Sequence, residues 1–552
     1  MSSTAPSTKH PTGLYYLFFS EMWERFGFYL MLAIFFLYMT DAQMGGMALP
    51  NEVGSDIFGT FIALVYLTPF LGGLIADRIT GYRWAISVGG ILMGIGYLGL
   101  AMPQEWAFYL SLGLIIFGNG FFKPNISTLL GNLYSDPRYA DLKDSGYNIF
   151  YMGINIGAMF SPFIAAWLRN TYGWGYAFAA AGLGMFLGVI IFWLGNKHYK
   201  EADVRKPVQD NDMPIGRIVG IVMMPAVVTG VLAWVLIPGN VFGSDSTDAF
   251  LFGAIPIVLF YLSLWMKASS SDREPIAALL AIFAVVVVFW AIFKQNGTAL
   301  TIWAESYTDR EISAPLEKPA GALGMVQYVD TEPKEVTDYD QLFRTRTGPD
   351  GKVIKKEGVD PYFNNLPQEK WPERGNKLTL ISTEIFQSIN PFFVVLLTPV
   401  VVGFFGFLRK RKAEPSTPAK IGFGLLISAL STLVMVGAVW AGSNGLEKSA
   451  GWWLVGTYAV VTVGELFLSP MGLSLVSKLS PPRLTALMMG GWFLSTSIGN
   501  KLSGVLASFW DRYDNKEYFF LVNFILLLAA AAAIFMMLGW LRRIVLTHTG
   551  KS

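Results

Sequence analysis

Six ionisable side chains are placed deep inside apolar runs: Glu21, Glu24, Arg25, Lys123, Lys294 and Glu465. A charge at mid-bilayer costs about 2.5 to 3.5 kcal/mol on insertion scales, so such residues turn toward a bundle interior or a wet cavity and are functional candidates by default. The chemistry open to them is proton binding at a carboxyl group and ion pairing, with one another or with the charged ends of a small ligand. Three are acids and three are bases, so an interior shared by all six is neutral. Helical spacing puts Glu21, Glu24, Arg25 and, one turn on, Tyr29 on a single stripe. One acid–base pair there would only lock helices together, but two acids and one base leave a carboxylate over.

The elements that must carry these residues are apolar spans. Of 552 residues, 53% are hydrophobic and 14% charged, against about 25% charged in a soluble domain. The chain therefore reads as an all-α polytopic membrane protein. Spans are expected at 14–39, 54–76, 84–104, 106–131, 146–168, 174–195, 215–238, 249–267 and 275–304. After a polar insertion they resume at 378–408, 419–442, 451–477, 484–509 and 518–541, giving fourteen. Setting aside the pair 215–238 and 249–267, which is apolar with little charge and reads as a peripheral hairpin, leaves six plus six around a central site. The expected domains are 1–195, a linker and hairpin at 196–272, and 273–552 with an external insertion at about 305–377.

Basic residues recur at alternate connections: Arg78 and Arg83, Lys197 and Lys200 with Arg205 and Lys206, Arg409 to Lys412, and Arg542 with Arg543. The positive-inside rule then puts both termini in the cytoplasm. Met1 to Pro11 lacks the apolar core of a signal peptide, so the first helix is expected to act as an uncleaved membrane entry. A net charge of +2 without a basic tail gives no sign of a nucleic-acid partner. There is no cysteine, and the three histidines, His10, His198 and His548, fall outside the spans. Thiol and histidine metal chemistry inside the membrane is thereby excluded, and no metal site is expected.

Polar residues gather near the charges. Lys123 precedes Pro124 and Asn125, where the proline frees a backbone carbonyl one turn earlier. Asn155 lies in Phe150-Tyr151-Met152-Gly153-Ile154-Asn155-Ile156-Gly157, Asn390 precedes Pro391, and Glu465 sits in Gly464-Glu465-Leu466-Phe467-Leu468-Ser469-Pro470. An isolated asparagine in a span is also explained as a helix–helix hydrogen bond. The loop Gly73 to Arg83 is either a helix-end clip built from its Asp and Arg residues or an ordinary charged turn.

Taken together, Glu21-x-x-Glu24-Arg25-Phe26-x-x-Tyr29, Phe122-Lys123-Pro124-Asn125, Phe150-Tyr151-x-x-Ile154-Asn155-x-Gly157 and Gly464-Glu465-Leu466-x-x-Ser469-Pro470 resemble the proton-coupled oligopeptide transporters of the major facilitator superfamily, in the order and spacing of that family. The resemblance implies the major facilitator fold, two six-helix bundles with a two-helix hairpin between them. It also implies import of di- and tripeptides driven by protons through alternating access, in a bacterial inner membrane. Carried over by position, Glu21 and Glu24 would take protons, while Arg25 and Lys123 would pair with them and hold the peptide carboxylate. Glu465 would receive the peptide amino terminus, Asn155 and Asn390 would bond its backbone, and Tyr29, Tyr66 and Trp492 would shape the pocket. No cofactor and no obligate protein partner are implied beyond the lipid bilayer; the proton gradient supplies the energy.

Two departures stand out. Many members carry a second arginine one turn after the first, where this chain has Leu32, and an acid or amide near position 294, where it has Lys294. Lys294 is expected near mid-span, either replacing the lost base by pairing with Glu21 or Glu24 or binding the peptide and favouring acidic side chains; the plain alternative is a lysine reaching up to the interface. The insertion is expected to be a tolerated loop holding a small hairpin at Asp350-Gly351. Rival readings are a same-family carrier of nitrate, amino acids or another small solute, and a membrane-embedded enzyme using carboxylate or lysine chemistry.

Overall fold

A computed structural model describes residues 9–139, 142–204, 214–237, 241–349, 351–481 and 484–549. The long helices are α1 (Gly13–Thr40), α2 (Asn51–Ile75), α3 (Tyr82–Leu100), α4 (Glu105–Leu133), α5 (Lys143–Tyr172) and α6 (Trp174–Leu194). A pair follows, α7 (Ile215–Leu236) and α8 (Asp245–Met266). Then come α9 (Ser270–Phe293), α10 (Ile389–Lys410), α11 (Thr417–Ala441), α12 (Trp452–Leu479), α13 (Thr485–Ser508) and α14 (Lys516–Thr549). Among the described residues thirteen segments are long and apolar enough to cross a membrane. The fourteenth long helix, α13, is 24 residues and carries the polar run Ser495, Thr496, Ser497, Asn500 and Lys501, all buried.

Contacts divide the chain into two compact units. One comprises Met1–Tyr38, Leu64–Asp210 and Ala314–Gln327, the other Met39–Ala63, Asn211–Ser313 and Tyr328–Ser552. The helix α2 belongs to both, and glycine explains how each half packs. In the first unit, a Cβ on Gly72 would lie 1.9 Å from the carbonyl oxygen of Gly120 in α4. That is the carbonyl that Pro124 leaves without its helical partner, so α4 stays helical across the proline while the freed oxygen meets the glycine. Asn125 adds a bond to Gly72 O at 3.2 Å and Thr68 one to Ile116 O at 2.9 Å. In the second unit, a Cβ on Gly59 would lie 2.8 Å from Cα of Gly504 in α13, and Ser497 donates to Ala63 O at 2.6 Å.

The Gly73–Arg83 connection is a helix-end clip to which Asp203, beyond α6, adds an acid. Gly81 has φ +81°, a left-handed backbone that suits glycine. Asp203 accepts from Tyr82 N at 2.7 Å and from Arg83 Nε at 2.9 Å, capping the start of α3. Of the basic linker that follows α6, Arg205 and Lys206 lie outside the described residues. Between α10 and α11, Glu414 is shared by Arg409 and Lys420, each at 2.6 Å, and hydrogen bonding from Arg409 holds its carboxyl down to about 2.

The insertion is more than a loop. Val329, Tyr362, Phe363, Leu366 and Leu380 form a core of their own. The expected hairpin is present, with Thr347 facing Val353 and Tyr339 facing Thr345, although Asp350 itself lies outside the described residues. Asn365 ties this core down by donating to Ser306 O at 3.1 Å and Gly445 O at 3.0 Å. Strand Lys334–Thr337 pairs antiparallel with Lys355–Gly358.

Candidate functional site

In the first unit the α1 stripe is buried: Glu21, Glu24 and Arg25 are each at most 3% exposed. The Arg25 guanidinium lies between the two acids. It donates through Nε to Glu24 Oε2 and through Nη2 to Glu24 Oε1 at 2.5 Å, and its Nε stands 3.4 Å from Glu21 Oε1. Bidentate pairing of this kind fixes the guanidinium plane. The other Glu21 oxygen, Oε2, is buried without a hydrogen-bond partner, the leftover acceptor that two acids and one base require. Arg25 also lies over the Phe28 ring at 5.2 Å.

Lys123 reaches the same cluster from α4. Its ammonium stands 4.5 Å over the ring of Tyr66 and within electrostatic range of Glu21, Glu24 and Arg25. On α5, Gly157 permits close approach to α1, since a Cβ there would lie 2.5 Å from Met22 O. Asn155, two residues before it, is half-buried and donates to Tyr151 O at 3.0 Å. Tyr29 is half-buried, its ring edge-on to Phe28 at 5.6 Å.

In the second unit Glu465 of α12 accepts from Asn390 Nδ2 of α10 at 3.1 Å, and the same amide reaches Thr462 Oγ1 at 2.9 Å. Thr462, one turn before Glu465, was not singled out from the sequence, although its helical spacing to Glu465 is visible there. Lys294 lies within electrostatic range of Glu465 and packs over Trp290 at 5.7 Å and Phe293 at 5.6 Å.

Lys294 is not at the middle of a continuous helix. The α9 helix ends at Phe293, a 3-10 turn covers Lys294–Gly297, and Thr298 has φ -130° and ψ -90° before helix resumes at Ala299–Ile302. Gly297 lets α2 approach the break closely, because a Cβ there would lie 2.2 Å from the Phe58 ring. Lys294 thus occupies the C-terminal end of α9, where the helix dipole favours a cation. The amides of Gln295 and Asn523 exchange hydrogen bonds at 2.9 and 3.3 Å and hold the break to α14. Trp492 is buried, packed on Gly472, where a Cβ would meet it at 1.9 Å, and 6.3 Å from the Phe283 ring.

Each unit thus presents its own half of a charge pattern: two acids and two bases in one, an acid–amide pair beside a lysine in the other. The PTR2 sequence profile, described as the POT family, matches residues 83–327 and 375–523. The chain belongs to the POT family. Similar proteins include an uncharacterized transporter, YclF, of Bacillus subtilis, 32% identical over 94% of this chain and 91% of that protein. A relative from Lactococcus lactis named a di-/tripeptide transporter is 29% identical over 93% of each chain. Among solved structures, a peptide transporter POT in complex with sulfate superposes with a TM-score of 0.76 at 28% identity, covering 98% of both chains. A POT family transporter in complex with a thioalcohol-conjugated peptide gives a TM-score of 0.74 at 25% identity, covering 98% and 99%. The fold is the all-α, multi-pass major facilitator arrangement that POT membership entails, and the protein is a membrane transporter.

Proposed function

We propose that the chain imports di- and tripeptides together with protons by alternating access, across a bacterial inner membrane with both termini in the cytoplasm. The observation that carries this reading is the Arg25 guanidinium held by Glu24 and Glu21, with Lys123 beside them. Protonation of the acids releases a base, and the released base is what a peptide carboxylate needs. Glu465, oriented by Asn390, suits the ammonium at the other end of a zwitterion. Asn155 and Asn390 are assigned to the peptide backbone, and Tyr29, Tyr66 and Trp492 to the walls. Lys294 stands where acidic side chains would find a partner.

No cofactor is required. A neutral zwitterion carried with one proton moves one net positive charge inward, worth about 2.3 kcal/mol per 100 mV of membrane potential before any pH gradient. Purified protein in liposomes is expected to accumulate a labelled dipeptide when an inward proton gradient is imposed, and a protonophore is expected to stop it. Accumulation that ignores the gradient would overturn the coupling. Nitrate or a free amino acid outcompeting the dipeptide would overturn the substrate class.

A further inference from the structure

The helical hairpin α7–α8 touches a buried ion pair that involves none of the six charges of the two sites. Lys501 of α13 is fully buried, and an ammonium has three protons to donate. It sends them to Asp56 Oδ1 at 2.6 Å, Thr60 Oγ1 at 2.6 Å and Ser246 Oγ at 2.9 Å. Asp56 and Thr60 are on α2, and Ser246 is in the first turn of α8. Asp56 in turn accepts from the hydroxyl of Ser246 and from Thr247 Oγ1, the latter at 3.0 Å. The turn that presents these hydroxyls is itself fixed: Ser244 caps α8 by accepting from Thr247 N at 3.2 Å, and its hydroxyl donates to Thr247 Oγ1 at 2.8 Å. Asp248 accepts from the backbone of Val241 and Phe242 at 3.2 and 2.8 Å.

A buried pair whose partners come from three helices is stable only while all three are in place, because removing one leaves a charge short of donors or acceptors. The same stretch of α2 is pressed backbone to backbone on α13 at Gly59 and Gly504. We propose that Asp56, Lys501, Ser246 and Thr247 form a latch that holds the beginning of α2 against α13, and that the hairpin is a working part of that latch rather than a peripheral addition. The proposal rests on the topology given above, which puts the beginning of α2 at the external face. The latch is then a positioning device for the outward-closed state, and it must open for a peptide to enter from outside.

The absence of native cysteine allows a direct test. Ser55 is buried one residue before Asp56, and its carbonyl faces Gly504, so a Ser55→Cys chain reports opening by alkylation with a membrane-impermeant maleimide. Ser246→Ala combined with Thr247→Val is expected to raise the external alkylation rate about threefold to tenfold through the lost hydrogen bonds. Ser246→Thr, which keeps a hydroxyl, is expected to stay near the parent rate. Asp56→Asn is expected to raise the rate as the hairpin changes do, with little further gain when the two are combined. An alkylation rate unchanged by the Ser246 and Thr247 substitutions, in cells that still accumulate a labelled dipeptide, overturns the hairpin's role. Labelling of the Ser55→Cys chain only in inverted vesicles overturns the topology instead.

Discussion

Asn390 donates one amide nitrogen to both Thr462 and Glu465, so the carboxylate of α12 is oriented by a side chain of α10. A carboxylate held in this way keeps one direction free for a cation. Glu465→Gln keeps the size and the amide bond but removes the charge. Loss of one charged contact, worth about 1.5 to 3 kcal/mol, is expected to raise the KM for a dipeptide roughly tenfold to a hundredfold. An amino-acetylated dipeptide, which has no ammonium to lose, should be transported equally badly by the parent and by Glu465→Gln. If the acetylated compound competes as well as the free peptide in the parent, Glu465 is not its amino-terminal partner.

Glu24 contributes both carboxylate oxygens to Arg25. In Glu24→Gln the arginine loses that charge and the proton loses a place to ride. The variant is expected to exchange labelled for unlabelled peptide across liposomes while failing to concentrate it. Undiminished gradient-driven accumulation would remove Glu24 from coupling.

Lys294 ends α9 beside Trp290 and Phe293. A competition panel of acidic, neutral and basic dipeptides is expected to show Lys294→Ala losing preference for acidic side chains, with the neutral peptides little changed. An identical ranking in parent and variant would make Lys294 a cap for the helix end and nothing more.

Outside the membrane, Lys448 lies 3.9 Å over the Tyr362 ring and donates to Ser306 O at 3.2 Å. Burial, aided by the positive charge of Arg310, brings its pKa down from 10.5 to about 7, against the pull of Asp309, Glu305 and Asp360. The unfolded chain therefore binds more protons than the folded one between pH 7 and 10.5, and stability contributed by this site rises with pH across that window. The cost of charging Lys448 is fully present below about pH 7. Thermal unfolding followed by tryptophan fluorescence is expected to show a midpoint that climbs from about pH 7 to about pH 9 in the parent. The climb should be smaller in Lys448→Met, and equal slopes would show that Lys448 stays charged when folded.

The first-unit site was legible because Glu21, Glu24, Arg25 and Lys123 are charges in apolar runs, and in helices such charges cannot hide on a lipid face. The same logic, applied to Lys501 within 484–509, would have exposed the ion pair with Asp56, but Asp56 sits at the edge of its span and reads as a polar helix start. The pairing is between residues 445 positions apart, which spacing within one helix does not report. The break after Phe293 was overlooked rather than hidden. Lys294-Gln295-Asn296-Gly297-Thr298 is a polar run with an Asn-Gly turn pair, but the apolar residues on either side of it carry the span reading of 275–304 across. The core of the insertion was missed for a related reason. Val329, Tyr362, Phe363, Leu366 and Leu380 are dispersed over a polar, proline-rich stretch and come together only in three dimensions.

With Gly59 seated on Gly504 and Gly72 on Gly120, α2 runs on two bearings. At each bearing a Cβ would meet backbone, 2.8 Å from Cα of Gly504 at the first and 1.9 Å from the carbonyl oxygen of Gly120 at the second. The stretch between them, Thr60 to Leu71, contains Pro69 and the missing amide that comes with it, which is where a helix bends most readily.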